Sequence, residues 1–170
     1  MAPRAAARLE SLGFEQVFEY RAGKLDWLAA SKPTEGENSK RPRAGDVARK
    51  DAITCGPNDR LDEVRERAAA AGWELAVVVD EANVVLGILR SEQLDEEPAG
   101  LAVEKAMRPG PSTFRPYVPI KEMADYLVEH QLDSVPITTS EGKLVGVLRK
   151  ADATRQAASG SAAARRMITS

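Results

Sequence analysis

Apolar and polar residues follow two different spacings along the central part of the chain. Leu61, Val64 and Ala68 recur every three or four residues, which is the spacing of an amphipathic helix. Continuous Val-rich runs follow, and such runs predict strands that are buried on both faces. The pattern predicts, in order, an extended piece at residues 52–55, a helix at 61–71, strands at 75–79 and 84–89, and a helix that begins near Ser91.

The same order of elements returns in the second half of the chain. The segments VLGILR (residues 85–90) and LVGVLR (residues 144–149) align, and their glycines are 146 − 87 = 59 residues apart. The same shift places Thr54 on Thr113. A repeat of this kind indicates two copies of one small unit. The second copy is predicted to contain an extended piece at 112–114, a helix at 120–130, strands at 132–137 and 144–148, and a final helix from residue 150 to about 157.

The segments outside the repeats differ in composition. Residues 4–11 favour a helix that Gly13 ends, residues 16–20 predict a short strand, and residues 25–30 predict a closing helix. Residues 31–45 are rich in Pro, Gly and charge, which is typical of a linker. We therefore divide the chain into an N-terminal extension at 1–30, a linker at 31–45, the first repeat at 46–97, the second repeat at 98–157 and a flexible tail at 158–170.

Composition excludes several classes of function. The 24 Lys and Arg residues are balanced by 26 Asp and Glu residues, so the net charge of −2 argues against a nucleic-acid binder with a broad basic surface. One cysteine (Cys55) and one histidine (His130) argue against an internal disulfide and a Cys/His zinc site. The sequence lacks both an apolar run long enough to cross a membrane and the apolar core of a signal peptide. We therefore expect a cytoplasmic protein without a membrane partner.

Three motifs of the second repeat carry a family resemblance. They are MRPGPST (residues 107–113), LDSVPIT (132–138) and GKLVGVLRKAD (142–152). With their weaker counterparts in the first repeat, they resemble a tandem pair of CBS domains, a family named after cystathionine β-synthase. The resemblance covers residues 46–157. It implies an α+β fold in which two β-α-β-β-α repeats pack by their sheets around a pseudo-twofold axis, together with a short N-terminal αβα extension here.

The same resemblance implies a ligand and an assembly. In that family the clefts between repeats bind AMP, ADP, ATP or S-adenosylmethionine, and two pairs often join into a homodimer. The last strand of each repeat ends in Gly-h-h-Thr-x-x-Asp (h, apolar), whose hydroxyl and carboxylate hold the ribose. Here the Thr positions are Arg90 and Arg149, and the Asp positions are Gln93 and Asp152. Asp152 therefore marks the more complete site, and the two arginines favour an anionic ligand because guanidinium pairs well with phosphate.

The resemblance also implies that the extended segments containing Thr54 and Thr113 lie beside adenine and that Pro136 forms part of the cleft wall. Each candidate has an ordinary structural explanation as well. A carboxylate such as Asp152 stabilises the first turn of a helix, threonine favours strands, and Pro136 could simply end pairing at a sheet edge. Arginines at strand ends are usually solvated. The candidate ligand-binding residues are Thr54, Arg90, Thr113, Pro136, Arg149 and Asp152, with no catalytic and no metal-binding residue.

The first 30 residues resemble the C-terminal end of a rhodanese-like domain. The cysteine-centred anion loop that carries catalysis in that family is missing from this segment, and Cys55 lies in a different setting. The alternative is an N-terminal extension that packs its apolar residues on the main domain. The residues that match the rhodanese-like pattern are Leu9, Gly13, Phe14, Val17, Tyr20, Gly23, Trp27 and Leu28.

Two functions remain open at this point. The first is a non-catalytic regulatory module that senses an adenosyl ligand and acts on an unidentified partner protein. The second is a ligand-free dimerisation or scaffold module, which the incomplete ribose clamps favour. Two alternatives are weaker. One is sulfur transfer through an exposed Cys55, and the other is nucleic-acid binding through Arg165, Arg166 and the basic residues of the linker.

Overall fold

The structure is a computed structural model that describes residues 2–18, 27–28, 32–36, 41–96, 98 and 100–168. The helices are α1 (Ala2–Ser11), α2 (Ala44–Val47), α3 (Leu61–Ala70), α4 (Ser91–Glu96), α5 (Val103–Ala106), α6 (Ile120–Glu129) and α7 (Lys150–Ile168). The strands are β1 (Ile53–Cys55), β2 (Leu75–Val79), β3 (Val85–Arg90), β4 (Arg108–Pro109), β5 (Ser134–Thr138) and β6 (Leu144–Arg149).

Each repeat is built around an antiparallel hairpin. β2 pairs with β3 and β5 pairs with β6, and both hairpins change register at the same place, after Val78 and after Ile137 (78 + 59 = 137). A parallel partner flanks each hairpin: β1 lies beside β2, and Phe114 bridges Ile137 of β5. Helices α3 and α4 complete the first repeat, and α6 and α7 complete the second. The predicted order β-α-β-β-α is confirmed in the first repeat, and in the second the single bridge at Phe114 stands at the place of the first strand.

The parallel pairing is shorter in the second repeat because Pro136 has no N–H. Its counterpart is Val77 (77 + 59 = 136), which pairs with Thr54 in the middle of the three-residue strand β1. In the second repeat the contact is one bridge, in which the Phe114 N–H donates to the Pro136 carbonyl at 3.1 Å. A proline cannot donate a backbone hydrogen bond in return, so the pairing stops there.

The residues that lead into the first extended piece of each repeat pair with the other repeat. We call residues 43–49 and 102–108 the lead segments. Arg49 and Val147 of β6 exchange two backbone hydrogen bonds of 2.8 and 2.9 Å. The equivalent Arg108 (49 + 59 = 108) pairs with Ile88 of β3. Neither repeat is therefore complete without the residues that lead into the first extended piece of the other.

The glycine at the centre of each outer hairpin strand allows this close approach. A Cβ at Gly146 would lie 2.6 Å from the carbonyl oxygen of Arg49, and a Cβ at Gly87 would lie 2.6 Å from the sulfur of Met107. Glycine inside a strand often marks a place where another backbone approaches closely. The lead segments are that backbone here, which explains the glycine in both copies of the repeated motif.

The hairpin turns meet on the pseudo-twofold axis. Val84 bridges Lys143, and 84 + 59 = 143, so each residue pairs with its own counterpart. Their neighbours exchange two backbone hydrogen bonds of 3.0 and 2.9 Å between the repeats. An element that contacts its own equivalent must lie on a twofold axis. The predicted packing of two repeats around such an axis is confirmed.

The buried residues show that the hairpin sheet of the second repeat is covered on both faces. Val147 and Leu148 are adjacent in β6, are both fully buried, and point to opposite faces of the sheet. Val147 packs in the cluster of the first repeat, with residues such as Leu89. Leu148 packs in the other cluster, with Met123 and Leu127 of α6. The two repeats are thus joined by their sheets, with α6 on the outer face of the second.

Two regions differ from the sequence-based expectation. The strand predicted at 16–20 does not form at residues 16–18, where Phe18 is 87% exposed and no strand of the described ranges pairs with it; Glu19 and Tyr20 lie outside the described residues. Helix α1 is confirmed, and Gly13 follows it with φ +89°. Trp27 and Leu28 of the predicted closing helix are helical, and the other four residues of that helix lie outside the described residues.

The last helix is longer than expected. We predicted that it would reach about residue 157 and that a flexible tail would follow, but the helical backbone of α7 continues to Ile168. Residues 157–164 include five alanines, and alanine has the highest intrinsic helix propensity. The placement of the helix end near residue 157 was therefore wrong.

Candidate functional site

The more complete candidate site lies where β6 leads into α7. Arg149, the last residue of β6, donates a hydrogen bond to the carbonyl of Gly72 at 2.9 Å. Its guanidinium carbon also lies 3.7 Å from the centre of the Trp73 ring, which is a close cation–π contact. Trp73 is only 5% exposed. Arg149 therefore ties the end of a second-repeat strand to the loop before β2 of the first repeat.

A second arginine lies beside the same ring. The guanidinium carbon of Arg49 is 5.6 Å from the Trp73 ring centre. Arg49 also forms a bidentate ion pair with Asp51, through hydrogen bonds of 3.0 and 2.6 Å. The hydrogen bonds from Arg49 lower the pKa of Asp51, and the charge of Arg149 lowers it further. Asp51 raises the pKa of Arg49, with a smaller contribution from Asp152. Arg49, Arg149 and Asp51 therefore share one patch around Trp73, and Asp152 lies near enough to act on the charge of Arg49.

Asp152 is the carboxylate of this patch that is most covered by protein. It lies in the first turn of α7, and its side chain is 13% exposed. It forms an ion pair with Arg155, one turn further along the helix, whose own side chain is 75% exposed. A partner that extends into solvent can move away at low energetic cost, because exposed ion pairs are weak. Asp152 can therefore either stabilise the helix start or accept hydrogen bonds from a ligand.

The corresponding end of the first repeat has lost its carboxylate. Gln93 stands at the position of Asp152, is 8% exposed, and accepts the backbone N–H of Arg90 at 3.1 Å. Arg90 donates to the carbonyl of Ser134 in the second repeat at 3.3 Å. Burial lowers the pKa of Arg90, and the charge of nearby Arg108 lowers it further. Gln93 is thus committed to its own strand–helix junction. The carboxylates near this end are Glu92, which pairs with Arg108, and Asp133, which acts on Arg90.

The structure does not bring all six predicted site residues together. Arg149 and Asp152 share the patch around Trp73, and Arg90 lies at the equivalent place of the other repeat. Thr54 is exposed on β1, Thr113 is half-buried, and Pro136 is buried inside β5. Among the described residues, no hydrogen bond or ion pair joins these three to Arg149 or Asp152. Their assignment to the site remains a prediction.

A cavity of about 150 Å³ lies between the repeats, next to Arg149. It is lined by residues 72–75 of the first repeat and by Asp133 and Ser134 of the second, besides Arg149. Since 74 + 59 = 133, these two segments are equivalents across the pseudo-twofold axis. A cavity near this volume admits a ring the size of benzene, whereas drug-sized ligands occupy about 300–1,000 Å³. The cavity is therefore large enough for one ring of a ligand.

Two residues of the patch, Trp73 and Arg49, were missed in the sequence. Trp73 follows the glycine that ends α3 and lies between the helix predicted at 61–71 and the strand predicted at 75–79. Its position, next to the strand run and among few aromatic residues, was the available signal. Arg49 aligns with Arg108 under the 59-residue shift, which was a second signal. Neither signal shows which strand the arginine would approach, because that depends on the crossed lead segments.

Several other chemistries have little support in the described residues. Cys55 is 4% exposed, and burial raises the pKa of its thiol to about 12, so it lacks the exposed thiolate that sulfur transfer needs. No group of three or more His, Cys, Asp or Glu residues in the described ranges is arranged to hold a metal ion. Among the helices described, none combines the length and the apolar character needed to cross a membrane.

The fold defines a class of protein: a pair of β-α-β-β-α repeats that exchange their lead segments, with charged residues and a cavity at their common seam. The CBS domain family matches residues 44–99 and 103–159. These matches cover more than half of the chain, and the chain belongs to the CBS domain family.

Two curated proteins are similar to the chain. The protein YtoI of Bacillus subtilis is 25% identical over 100 residues, which is 59% of this chain and 23% of YtoI. The protein MK0525 of Methanopyrus kandleri is 24% identical over 115 residues, which is 64% of this chain and 59% of MK0525. The chain thus spans less than two thirds of the length of either relative.

Solved structures show the same fold. CBSX2, a CBS-pair protein of Arabidopsis thaliana, in complex with AMP has a TM-score of 0.63 at 20% identity, covering 71% of this chain and 98% of that one. The cytosolic domain of the Mg²⁺ channel MgtE in complex with ATP gives 0.61 at 23%, covering 67% and 48%. The CBS pair of MJ0100 in complex with 5′-methylthioadenosine and S-adenosylmethionine gives 0.59 at 19%, covering 68% and 94%. The predicted α+β fold class is confirmed.

Proposed function

We propose that this chain is a regulatory module that binds an adenine nucleotide or a related adenosyl ligand in the cleft between its repeats. One observation carries the proposal: the largely covered carboxylate of Asp152 shares a patch with Arg49, Arg149 and Trp73, beside the cavity at the seam. A carboxylate can accept hydrogen bonds from ribose hydroxyls, guanidinium groups pair with phosphates, and an aromatic ring can stack with a base. AMP, ADP, ATP and S-adenosylmethionine are the ligands we expect.

The solved structures support this choice of ligand. CBSX2 was solved with AMP, MgtE with ATP, and MJ0100 with 5′-methylthioadenosine and S-adenosylmethionine. All four ligands share an adenosyl group. The seam cavity of about 150 Å³ accepts a ring but not a whole nucleotide. We therefore propose that the base enters the seam while the sugar and phosphates stay near Asp152 and Arg49.

Calorimetry and thermal shift with the four ligands test the proposal. We expect at least one ligand to bind at millimolar concentration or below, and Asp152→Asn to weaken it by about tenfold or more, since a hydrogen bond to a charged group contributes roughly 1.5–3 kcal/mol. Asp95→Asn is the matched control, because Asp95 is an exposed aspartate at the end of α4. Absence of heat and of thermal shift with every ligand would refute the proposal for these ligands.

A ligand-free dimerisation or scaffold module is the second candidate. Two observations favour it. Arg149 already contacts Gly72 and Trp73, and the amide oxygen of Gln93 already accepts the backbone N–H of Arg90. Helices α6 and α7 also leave a surface groove of about 240 Å³, where Val128 is 60% exposed. This candidate predicts a stable homodimer by light scattering whose mass does not change when nucleotide is added.

The remaining assignments complete the proposal. The module acts by binding and not by catalysis, its output passes to an unidentified partner protein, and it works in the cytoplasm as a homodimer formed by the repeats. The boundaries drawn from the sequence, with repeats at 46–97 and 98–157, are kept as part of this proposal. The resemblance of residues 1–30 to the end of a rhodanese-like domain also stays a prediction. A structure of the chain that resolves this segment, superposed on that domain, would test it.

A further inference from the structure

Arg149 and Arg90 are the two seam arginines without a carboxylate partner. Among the described residues neither forms an ion pair, although the other arginines near the seam do: Arg49 with Asp51, and Arg108 with Glu92. Each instead donates to a backbone carbonyl of the other repeat, Arg149 to Gly72 and Arg90 to Ser134. Carboxylates lie near both arginines without a direct ion pair: the charge of Arg149 lowers the pKa of Asp51, and the charge of Asp133 opposes the burial that lowers the pKa of Arg90. Among the described residues, both guanidinium groups therefore keep N–H donors that no carboxylate accepts.

Each of these arginines also has a second arginine nearby. The guanidinium carbons of Arg149 and Arg49 lie 3.7 and 5.6 Å from the same Trp73 ring centre, so they are at most 3.7 + 5.6 = 9.3 Å apart. At the other end the charge of Arg108 lowers the pKa of Arg90, which shows that these two also interact. Arg49 and Arg108 are exposed and paired with Asp51 and Glu92, whereas Arg149 and Arg90 are half-buried. An anion that reaches Arg149 or Arg90 is therefore less screened there than in open solvent, and exposed ion pairs beside it can rearrange at low cost.

The side chain at position 149 determines whether this position binds a ribose hydroxyl or a phosphate. In this family's motif the residue at this position is a threonine that holds a ribose hydroxyl, and a hydroxyl has no charge preference. A guanidinium has five N–H donors in a planar fork that fits a phosphate with two parallel hydrogen bonds. Arg149 donates one hydrogen bond to the Gly72 carbonyl, and its guanidinium lies against the face of Trp73. A phosphate can therefore replace both contacts with stronger ones.

We propose that Arg149 selects phosphorylated adenine ligands over uncharged or cationic adenosyl ligands, and that the bound phosphate draws Arg149 away from Trp73. The inference rests on the proposed function, because it names the ligand class of that site. It also gives the binding event a structural consequence. Arg149 links the second repeat to the first, so its release removes one contact between the repeats when a phosphorylated ligand binds.

A ligand series measured by calorimetry on the full chain tests the selection. The ligands are ATP, ADP, AMP, adenosine and S-adenosylmethionine, with inorganic tripolyphosphate as a probe without adenine. We expect ATP to bind at least about tenfold more tightly than adenosine or S-adenosylmethionine, and tripolyphosphate to compete with ATP. Arg149→Thr restores the family's residue and should reduce the ratio of ATP to adenosine affinity to near one. Arg149→Lys keeps the charge but lacks the fork, and should give an intermediate ratio.

The control variant is Arg60→Thr, which makes the same chemical change at an exposed arginine that pairs with Asp62. It should keep the wild-type ratio. The inference is overturned if adenosine or S-adenosylmethionine binds as tightly as ATP, or if Arg149→Thr leaves the ratio where Arg60→Thr does; the proposed function survives either result. If no adenine compound binds but tripolyphosphate does, the proposed function fails and the anion site stands. If nothing binds, both fail.

Tryptophan fluorescence tests the movement of Arg149. The chain has two tryptophans, so the measurement uses a Trp27→Phe background in which Trp73 is the only reporter. We expect ATP to change the Trp73 emission, and Arg149→Thr to show the changed emission without ligand and no further response to ATP. An emission that stays constant while calorimetry shows saturation with ATP would overturn the proposed release.

Discussion

Replacing Gly146 by alanine tests the crossed pairing of the lead segments directly. A Cβ at this position would lie 2.6 Å from the carbonyl oxygen of Arg49, 3.1 Å from its carbonyl carbon and 3.3 Å from the Cβ of Ala48. Ordinary contacts begin at 3.4 Å, so the backbone of Arg49 would have to move by about 3.4 − 2.6 = 0.8 Å. A backbone that is paired on a strand cannot turn aside as the end of a flexible side chain can.

The size of the effect follows from what such a shift disrupts. Arg49 and Val147 exchange hydrogen bonds of 2.8 and 2.9 Å, and each contributes roughly 0.5–1.5 kcal/mol to stability. Their loss costs about 1–3 kcal/mol, which is also the usual range for overpacking. Alanine restricts the unfolded chain and offsets about 0.4–1 kcal/mol of this. We expect Gly146→Ala to lower the free energy of unfolding by about 1–2 kcal/mol, and Tm by a few degrees, on the order of 2–4 °C per kcal/mol.

Urea unfolding followed by circular dichroism, with Tm as a second measure, gives the assay. Gly56→Ala is the control, because a Cβ there would meet only Asp59 Oδ1, at an ordinary 3.5 Å. Gly87→Ala should fall between the two: its Cβ would lie 3.0 Å from the carbonyl oxygen of Arg108, but its shortest contact is with the flexible Met107 side chain. The reasoning is refuted if Gly146→Ala is as stable as Gly56→Ala.

Two further predictions concern the lead segment and the buried thiol. A chain that begins at Asp51 lacks residues 43–49, which complete the second repeat, so we expect it to lose hydrogen-exchange protection in β6 and α6 more than in β2. A chain that begins at Arg41 is the control and should keep near wild-type protection. Greater loss in β2 would contradict the crossed arrangement. Burial raises the pKa of the Cys55 thiol from 9.0 to about 12, so its contribution to stability is complete below pH 9 and is lost as the pH rises from about 9 toward 12. Urea midpoints should therefore fall more steeply above pH 9 for the wild type than for Cys55→Ala, and equal slopes would show that Cys55 is not protected in the folded state.

The sequence predicted the parts of the fold that depend on local pattern. The Val-rich run gave β2 at Leu75–Val79, and the repeated motif gave β3 and β6. In both, the apolar pattern is strong and the strands pair within one hairpin, so close neighbours in sequence supply the partner. The strand predicted at 16–20 is not formed at residues 16–18, where β propensity finds no partner strand among the described residues. The final helix runs past the serine and glycine at 159–161 to Ile168, because the alanines on both sides of them favour a helix.

The candidate site was predicted only in part, for the same reason. Arg149 and Asp152 were found because they belong to a motif of adjacent residues. Trp73 and Arg49 were missed, although they approach Arg149 and Asp152, because they are distant in sequence and reach the site through the pairing of the repeats. Gln93 was identified as a departure from the motif, but only the structure shows that its amide oxygen accepts the Arg90 N–H.

By itself the sequence determined that two like units follow each other at a shift of 59 residues, that each contains a buried hairpin, and that a glycine lies at the centre of each outer strand. These features arise from side-chain size and polarity along a short stretch of chain. Tertiary structure alone decided that Arg49 crosses to β6 and that Arg149 reaches Trp73 of the first repeat. Such contacts join residues far apart in sequence, and their register is set by how two sheets fit together, which no local pattern records.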